Sequence, residues 1–408
     1  MRVVVVGAGI VGLSTAYFLA GDGHEVVLLD RAEPGAGASS HNAGWLAPSM
    51  AVPVTAPGAL GQAMRWMLRH DTPLYVRPRW DLRYAAFLLR LLASCRAAPY
   101  AAGVRALAPL AQGALDAYDQ LRDEGLAVEL SDRPLTMLFT DPAQLDAHVR
   151  EVRELERSGA AIAWSVDDAE ELRQRIPGVS QSVVGALDTW GDRVVDPAVL
   201  VRELTQACRR RGVEVVCGVD AAFESTRSRP RLRHRDGVIA GDAYVVSAGV
   251  WSDRVVRPLG QRLSLAAGKG YGFDLPVVPE LAGGPLYLAE GRVAMTPYPD
   301  RLRLSGTMGF GAADHRIDRR RAAGILASAD RYLPGFGLAA AAGEPWTGLR
   351  PMTPDGVPII GRLPATRSVV VATGHQMMGV TLGPVTGRLV AGLIASDRDE
   401  IDPAYRVR

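Results

Sequence analysis

Three glycines close to the start of the chain have the spacing of a nucleotide-binding turn. Gly7, Gly9 and Gly12 follow an apolar run at residues 2–6 and precede residues 11–20, so the turn joins a predicted strand to a predicted helix. The first glycine permits a tight bend, the second lets the backbone approach a pyrophosphate, and the third lets strand and helix pack closely. The helix N-terminus then directs its amide groups and the positive end of its dipole at the phosphates. The spacing therefore predicts that the chain binds a dinucleotide.

An acidic residue completes this pattern. Asp30 closes the next predicted strand, residues 25–29, where a bound dinucleotide needs an acceptor for its ribose hydroxyls. The strand–helix–strand unit is typical of both NAD and FAD sites, and the glycine pattern does not separate the two.

The elements that must position these residues are α/β in character at both ends of the chain. The predicted helices are 60–94, 101–124, 142–158, 196–211, 317–332 and 384–396, and the predicted strands are 134–140, 213–217, 243–248 and 368–372. Residues 33–59 are predicted to be loop, and residues 265–310 alternate in the manner of an antiparallel sheet. This order predicts an α/β protein with a discontinuous Rossmann-type cofactor domain and an antiparallel-sheet α+β substrate domain. The cofactor domain is expected at 1–50, 190–262 and 346–408, and the substrate domain at 51–189 and 263–345.

Composition and charge exclude several functions. The chain has 408 residues, 48% hydrophobic and 22% charged, and its net charge of +2 gives no electrostatic case for nucleic acid. Cys95, Cys208 and Cys217 are too few and too scattered for a disulfide framework or a metal site, so they are predicted to be free thiols in a reducing compartment. We find no leader pattern, no apolar run long enough to span a membrane, and no Ser/His/Asp, HExxH or paired-carboxylate motif.

Four further segments carry a family resemblance over nearly the whole chain. They are SSHNAG at 39–44, GDAYVVSAGVWS at 241–252, WTGLRPMTPDG at 346–356 and GHQMMG at 374–379. With the glycine turn, they resemble the D-amino-acid oxidase and glycine oxidase superfamily, and within it the bacterial D-amino-acid dehydrogenases. The segment 346–356 is the most specific of the four. Residues 60–95 also resemble the dehydrogenases rather than glycine oxidase.

The resemblance implies FAD as the cofactor and no metal. The Rossmann-type domain would then be the FAD-binding domain, with residues 374–381 beside the flavin pyrimidine ring. The residues assigned to the cofactor are Gly7, Gly9, Ile10, Val11, Gly12, Asp30, Arg31, Ser39, Ser40, His41, Asn42, Ala43, Gly44, Trp45, Leu46, Val219, Ser247, Ala248, Gly249, Trp251, Gly348, Arg350, Gly374, His375, Met378, Gly379, Val380 and Thr381.

Three residues are predicted to act on the substrate. The resemblance implies that Arg350 grips a substrate carboxylate, a role that suits a planar guanidinium that stays charged. The alternative is a structural ion pair, for instance with Asp355. His375 is predicted to lie beside the flavin, with simple packing as its alternative role. Tyr271 either faces the substrate or packs within the sheet.

Two positions depart from the family pattern. His41 stands where D-amino-acid dehydrogenases typically have a small residue, and where sarcosine and dimethylglycine dehydrogenases have a histidine bonded covalently to the flavin. A non-covalent contact is predicted for His41. Met377 stands where glycine oxidases have an arginine, so a second carboxylate clamp at that position is missing.

The resemblance implies oxidation of a D-amino acid, or of a proline-like or glycine-like one, to the imino acid by hydride transfer to flavin N5. The open alternatives are a secondary-amine dehydrogenase of sarcosine or hydroxyproline type, a 2-hydroxyacid dehydrogenase, and a non-catalytic FAD-binding subunit of a larger complex. The electron acceptor would be a quinone, another acceptor or oxygen.

A location in the cytoplasm is predicted, with peripheral attachment to the inner face of the membrane left open. Trp66, Trp80, Tyr84 and Phe87, interleaved with arginines, could form a membrane-surface face or could pack on the substrate domain.

Overall fold

The computed structural model describes residues 1–57, 74–157, 163–224, 230–235, 237–311, 313–364, 366–396 and 401–407. Its strands are β1 (Arg2–Val6), β2 (Glu25–Leu29), β3 (Trp45–Leu46), β4 (Leu74–Val76), β5 (Leu135–Phe139), β6 (Ala163–Asp168), β7 (Gly185–Trp190), β8 (Arg193–Val194), β9 (Glu214–Val216), β10 (Ala222–Phe223), β11 (Leu232–His234), β12 (Gly237–Ile239), β13 (Ala243–Val246), β14 (Ala266–Leu275), β15 (Leu286–Leu288), β16 (Val293–Pro297), β17 (Leu302–Gly311), β18 (Trp346–Met352), β19 (Ile359–Leu363) and β20 (Thr366–Thr373). Its α-helices are α1 (Ile10–Gly21), α2 (Leu82–Ser94), α3 (Ala97–Gln112), α4 (Ala114–Asp123), α5 (Pro142–Arg157), α6 (Ala169–Arg175), α7 (Pro197–Arg210), α8 (Ser252–Val256), α9 (Arg319–Tyr332), α10 (Leu338–Ala341) and α11 (Gly379–Ala395).

The first sheet has six strands in the order β19-β20-β13-β1-β2-β9. Its central strands are parallel, and Val5 on β1 pairs with Leu28 on β2 and with Val245 on β13. These strands are buried on both faces, which explains their unbroken runs of Val and Leu. The predicted β1–α1–β2 unit and the Rossmann-type α/β fold class are therefore confirmed.

Helices α1 and α11 cross closely on one face of this sheet. Gly387 of α11 lies so near Ser14 of α1 that a Cβ at position 387 would be 2.6 Å from the Ser14 carbonyl carbon. Gly383 likewise faces Ile10, with a Cβ position 2.9 Å from the Ile10 side chain. Small residues at the crossing thus bring the N-termini of the two helices to the same end of the sheet, where the candidate site lies.

The second sheet is mostly antiparallel and has the order β18-β14-β17-β16-β15-β5-β7-β6, with β4 paired to β17. The antiparallel ladder that residues 265–310 were predicted to form is present in β14, β15, β16 and β17. One cross-strand row runs over a face of this sheet through Leu187, Met137, Tyr287, Ala294, Ser305, Gly272 and Trp346. All of these residues except Gly272 line the cavity described below, so this face forms one wall of the site.

Three predicted helices differ from the structure. Within 60–94, residues 58–73 lie outside the described part of the chain, 74–76 form strand β4, and a helix begins only at Leu82, after Pro78. Asp81 starts that helix because its side chain accepts hydrogen bonds from the Arg83 and Tyr84 amides. The predicted helix 101–124 is two helices, α3 and α4, which meet at Gly113. Helix α11 begins at Gly379 rather than at Pro384.

The predicted domain boundaries also differ from the packing at two places. Ala106, Leu107 and Leu121 of α3 and α4 belong to the hydrophobic core of the Rossmann-type domain, although 51–189 was assigned to the substrate domain. Strand β18 pairs with β14 and so extends the second sheet to Met352, past the predicted boundary at 346. In both cases long-range contacts decided the packing, and the local sequence pattern does not report them.

Cys95, Cys208 and Cys217 are free thiols, as predicted. Within the described residues, no cluster of His, Cys, Asp and Glu could hold a metal ion. None of the helices in the described ranges combines the length and the hydropathy needed to cross a bilayer.

Candidate active site

A cavity of about 2070 Å³ lies between the carboxyl ends of the parallel strands and the second sheet. Most of the residues predicted to bind the cofactor line it. They are Gly7, Gly9, Ile10, Val11, Asp30, Arg31, Ser39, His41, Asn42, Ala43, Trp45, Val219, Ser247, Ala248, Gly249, Trp251, Gly348, Arg350, His375, Met378, Gly379, Val380 and Thr381. The glycine turn, Asp30 and the four further segments, which are far apart in sequence, therefore meet at one site.

Five residues that were predicted to bind the cofactor do not line the cavity. They are Gly12, Ser40, Gly44, Leu46 and Gly374. A Cβ on Gly12 would lie 1.8 Å from the Gly7 carbonyl oxygen, which confirms close helix–strand packing as the reason for that glycine. Leu46 is fully buried in the hydrophobic core. These residues shape the wall without forming its surface.

The glycine turn has the backbone that its spacing predicts. Gly7 has a left-handed φ of 106°, and a Cβ there would lie 2.5 Å from the Ser247 carbonyl oxygen, so only glycine fits. The Asp30 carboxylate accepts hydrogen bonds from the Ala8 amide at 2.7 Å and the Ala32 amide at 2.9 Å. Because a carboxylate can accept about four hydrogen bonds, Asp30 fixes the turn and keeps capacity for a ribose hydroxyl.

The loop 39–46 is tied down by the second sheet. Arg303 on β17 donates to the carbonyl oxygens of Ser40 at 3.0 Å and Asn42 at 3.1 Å, while its other nitrogens hold Asp274 bidentately. The hydroxyls of Thr296 and Tyr298 both donate to the Ala43 carbonyl oxygen at 2.8 Å. Sequence reasoning missed Arg303; the only signal was a basic residue between two leucines of an alternating strand.

His41 sits on this loop with its ring 5.3 Å from the Trp346 ring, centroid to centroid. Its Nδ1 is buried and has no hydrogen-bond partner within the described part of the chain. Burial, followed by the nearby Arg303 guanidinium, lowers the pKa of the His41 imidazole below its ordinary value. His41 is therefore neutral at neutral pH, with one ring nitrogen free for a bound group.

Arg350 lies in the cavity wall, and its guanidinium crosses β14 over Gly270. The fit is close, because a Cβ on Gly270 would come within 2.4 Å of the guanidinium. Nη1 of Arg350 donates to the Thr307 carbonyl oxygen at 2.8 Å. Among the described residues Arg350 forms no ion pair, so the structural pair with Asp355 is absent. Burial lowers the pKa of Arg350 to about 10, which still leaves it charged at neutral pH.

The structure does not bring Tyr271 to the cavity. Tyr271 is 5% exposed, packs in the core of the second sheet, and its hydroxyl accepts from the Asp318 amide. It follows Gly270 along β14, and consecutive strand residues point to opposite faces. Since Gly270 faces the cavity, Tyr271 faces away from it, and the predicted contact of Tyr271 with the substrate is wrong.

His375 is buried where its segment meets α11. Its Nε2 lies 3.0 Å from the hydroxyl oxygen of Thr386, about two turns into the helix. Burial lowers the pKa of the His375 imidazole to about 4, so the ring is neutral at neutral pH. The side chain thus fastens the N-terminal turns of α11, whose first residues Gly379, Val380 and Thr381 line the cavity.

Several cavity residues were not predicted. Arg292 and Thr307 adopt left-handed backbone, as does Gln376 within the predicted segment 374–381, and no sequence pattern reports this conformation for a non-glycine residue. Tyr287 and Ser305 come from the cross-strand row and could have been found only from the register of the sheet.

Known proteins are similar to this chain over nearly its whole length. The family model described as "FAD dependent oxidoreductase" matches residues 2–393. The chain belongs to this family. It is 33% identical over 413 residues to the D-amino acid dehydrogenase of Granulibacter bethesdensis, which covers 99% of this chain and 98% of the relative. It is 36% identical over 423 residues to the D-amino acid dehydrogenase of Methylobacterium nodulans, covering 98% of this chain and 97% of the relative.

Solved structures of low sequence identity share the fold of this FAD-dependent oxidoreductase. Glycine oxidase from Geobacillus kaustophilus superposes with a TM-score of 0.79 at 24% identity, covering 100% of this chain and 98% of the other. L-proline dehydrogenase from P. horikoshii gives a TM-score of 0.74 at 16% identity, covering 100% and 96%. The predicted family resemblance, fold class and FAD cofactor are confirmed.

The residues of the cavity fit FAD. Its volume of about 2070 Å³ exceeds the roughly 300–1,000 Å³ of ordinary ligand pockets, as a dinucleotide plus a substrate requires. The N-termini of α1 and α11 both face it, and each supplies amide donors to anionic or carbonyl oxygens. Arg31 lies over the Trp251 ring at 3.6 Å, and both side chains border the end of the cavity next to β2.

Proposed function

We propose that this flavoenzyme oxidises D-amino acids to the corresponding imino acids. The single observation that carries this proposal is the Arg350 guanidinium, which lines the cavity with one backbone partner and no carboxylate partner in the described chain. Arg350 is partly buried, and a cation that is withdrawn from water without a counter-ion is unfavourable unless a ligand supplies one. The names of the relatives, D-amino acid dehydrogenase, support an amino acid as that ligand.

Arg350 would bind the substrate through its α-carboxylate. The Thr307 carbonyl holds one nitrogen of the guanidinium at 2.8 Å and so fixes the plane of the fork. A fixed, planar fork meets a carboxylate at two points, which orients the α-carbon as well as binding it. FAD, when bound, supplies the hydride acceptor, so the protein contributes mainly orientation and electrostatics.

The N-terminus of α11 and the loop 39–46 would hold the cofactor in place. Val380 and Thr381 belong to the first turn of α11, where amide groups lack helical partners. The Thr381 hydroxyl donates to the Trp45 carbonyl oxygen at 3.0 Å and thereby joins this turn to the loop. His375, neutral and bonded to Thr386, would serve this arrangement by position rather than by proton transfer.

A peripheral contact with an anionic membrane surface is part of the proposal. Trp80, Leu82 and Leu89 are 108%, 90% and 68% exposed, at the start of α2 and along its outer face. Arg79, Arg83 and Arg90 accompany them, and a basic, apolar surface of this kind suits the interface of anionic lipids. A quinone dissolved in that membrane would be the electron acceptor, and the enzyme would lie on the cytoplasmic face.

Of the four aromatic residues for which a membrane-surface face or packing on the substrate domain was left open, two pack inside. Tyr84 and Phe87 are 7% and 3% exposed and form a core cluster with Phe310 and Met352. They occupy the inner face of α2, one helical turn apart, whereas Leu82 and Leu89 occupy the outer face. Trp66 lies outside the described residues.

The proposed activity is tested by mixing the purified yellow protein without oxygen with a panel of substrates and following loss of flavin absorbance. The panel is D-alanine, D-proline, L-alanine, sarcosine and D-lactate. Loss of flavin absorbance on addition of D-alanine or D-proline supports the proposal. Bleaching by only L-alanine, only sarcosine or only D-lactate would refute it and would select one of the other activities of this fold.

A further inference from the structure

All the non-glycine residues that adopt left-handed backbone in the described chain line this one cavity. They are Arg292 with φ 51°, Thr307 with φ 62° and Gln376 with φ 53°. Such a conformation is unfavourable for a residue with a side chain, and it persists where the surrounding structure imposes it. These three residues therefore mark the part of the cavity in which side-chain placement matters most.

Two of them are neighbours across the second sheet. Val293 on β16 pairs with Gly306 on β17, which places Arg292 and Thr307 opposite each other at the next position. The approach is close, since a Cβ on Gly306 would lie 3.1 Å from the Arg292 carbonyl oxygen. Thr307 is also the residue whose carbonyl oxygen holds Arg350. Thr307 of β17 is therefore next to both arginines: its carbonyl oxygen accepts from Arg350, and Arg292 stands opposite it on the neighbouring strand.

The Arg292 guanidinium is available for a ligand. Its one hydrogen bond goes to the Tyr287 hydroxyl at 3.5 Å, the long limit for such a bond. Within the described chain Arg292 forms no ion pair, and its side chain lines the cavity. Tyr287 in turn meets the Trp45 ring edge-on, with centroids 5.8 Å apart, so Arg292 is connected to the cofactor loop.

Two acids lie near Arg292, and they differ in availability. The Glu290 carboxylate accepts from the Thr140 and Asp141 amides and from the Tyr332 hydroxyl, so its oxygens are occupied. Glu151 of α5 is exposed, borders the same region of the cavity, and does not come within ion-pairing distance of Arg292. An anion arriving at Arg292 would meet free guanidinium donors, with the carboxylates of Glu290 and Glu151 as opposing charges.

We propose that Arg292 binds a second anionic group of the substrate, so that the preferred substrate is a D-amino acid with a carboxylate side chain. The inference rests on the proposed function, because Arg350 must take the α-carboxylate for Arg292 to meet the side chain.

The spacing of the two arginines suits this class. Arg350 is held by Thr307 on β17 and Arg292 reaches Tyr287 on β15, two strand spacings across the sheet and two residues along it, so about 12 Å separates the anchoring points. A diacid of glutamate length, with carboxyl carbons about 5 Å apart, C–O bonds of about 1.2 Å and a hydrogen bond of about 2.8 Å at each end, reaches up to about 13 Å and covers that span. Ser305 and Ala294, between the two sites, are small enough to leave room for it.

The test compares D-glutamate with its neutral isostere D-glutamine by stopped-flow reduction of the flavin without oxygen, with D-alanine as a reference. In the wild-type protein kcat/KM for D-glutamate should exceed that for D-glutamine by about 10- to 100-fold, the effect of one charge-assisted interaction. Arg292→Gln should abolish most of this ratio, and Arg292→Lys should keep part of it. Glu151→Gln should raise the ratio a few-fold. Arg320→Gln, which removes an exposed arginine of α9 that does not line the cavity, should leave the ratio unchanged.

Flavin content and melting temperature of each variant separate loss of folding from loss of selectivity, and Arg292→Lys keeps the test decisive if Arg292→Gln does not fold. A wild-type ratio near one, or an equal ratio in wild type and Arg292→Gln, would overturn the assignment of Arg292. If D-alanine, D-glutamine and D-glutamate all fail to bleach the flavin, the proposed function itself is wrong. Bleaching by D-alanine with no preference for D-glutamate refutes only the carboxylate subsite.

Discussion

The Tyr118 hydroxyl on α4 donates a 2.7 Å hydrogen bond to the carbonyl oxygen of Val380, in the first turn of α11. Residue 384 would normally donate its amide to that carbonyl, but it is a proline and has no N–H. Tyr118 is buried and replaces the missing donor from a distance of 262 residues along the chain. This contact lets α11 start at Gly379, so that its N-terminal amides reach the cavity.

Tyr118→Phe should therefore lower the free energy of unfolding by about 1–3 kcal/mol, because the Val380 carbonyl loses its donor in a buried place. The affinity for FAD should fall as well, since the first turn of α11 borders the cavity. Chemical denaturation and FAD titration of the apoprotein measure the two effects. Pro384→Ala in the Tyr118→Phe background restores a backbone N–H and should recover part of the loss. Equal stability of Tyr118→Phe and wild type would contradict this role.

Arg303→Met should weaken FAD binding and lower stability together. The arginine holds the Ser40 and Asn42 carbonyls as well as Asp274, and loss of charged hydrogen bonds at a buried residue costs about 3 kcal/mol. Arg301→Met is the matched control, since Arg301 pairs with Asp196, Asp300 and also Asp274, the partner of Arg303, but donates no hydrogen bond to the loop 39–46. It should lower the melting temperature and leave the dissociation constant of FAD nearly unchanged. Identical FAD affinities of the two variants would argue against Arg303 as the anchor of the loop.

The pH dependence of stability should report His375. Its pKa falls from 6.5 in the unfolded chain to about 4 in the folded protein, so the unfolded state takes up a proton first as the pH falls. The contribution of neutral His375 to the free energy of unfolding is fully present above pH 6.5. It is lost as the pH falls from 6.5 to about 4, and the total loss is up to about 3 kcal/mol. Between pH 7 and pH 5, where few carboxylates titrate, the free energy of unfolding measured in urea should fall more steeply with pH in wild type than in His375→Gln. Parallel curves would mean that His375 does not titrate as its burial implies.

The flavin is predicted to be bound without a covalent link. The His41 ring lies against Trp346, and its Nδ1 has no hydrogen-bond partner among the described residues, which suits a non-covalent contact with the cofactor. Acid precipitation should release the yellow colour into the supernatant, and the released compound should be FAD. Flavin that stays on a peptide containing His41 after digestion would show the opposite.

The sequence predicted the parts of the fold that depend on local patterns. Gly7, Gly12 and the valines of β1 have their roles within a few residues of chain, so the Rossmann-type unit could be predicted. The start of α11 could not, because it depends on Tyr118, and Pro384 alone indicates a helix start. Tyr271 was misplaced because strand alternation gives two faces without saying which one meets the cavity.

The substrate site was predictable only where a motif carried it. Arg350 stands in the segment most specific to the family, and the structure places it in the cavity wall. Arg292 and Arg303 stand in no motif. Their positions follow from the register of β15, β16 and β17 and from a left-handed backbone at Arg292, both of which are tertiary properties.

The most direct test of the account is the kinetics of Arg350→Met with D-alanine and with D-alaninamide, which lacks the carboxylate. Removing one partner of a buried charge pair costs roughly 2–5 kcal/mol, so kcat/KM for D-alanine should fall by about 30-fold to several-thousand-fold. Arg350→Lys should recover only part of it, because an ammonium lacks the two-point fork. FAD content should stay near that of wild type. D-Alaninamide should lose far less activity, whereas near-normal kcat/KM for D-alanine, or equal losses for both compounds, would contradict carboxylate binding by Arg350.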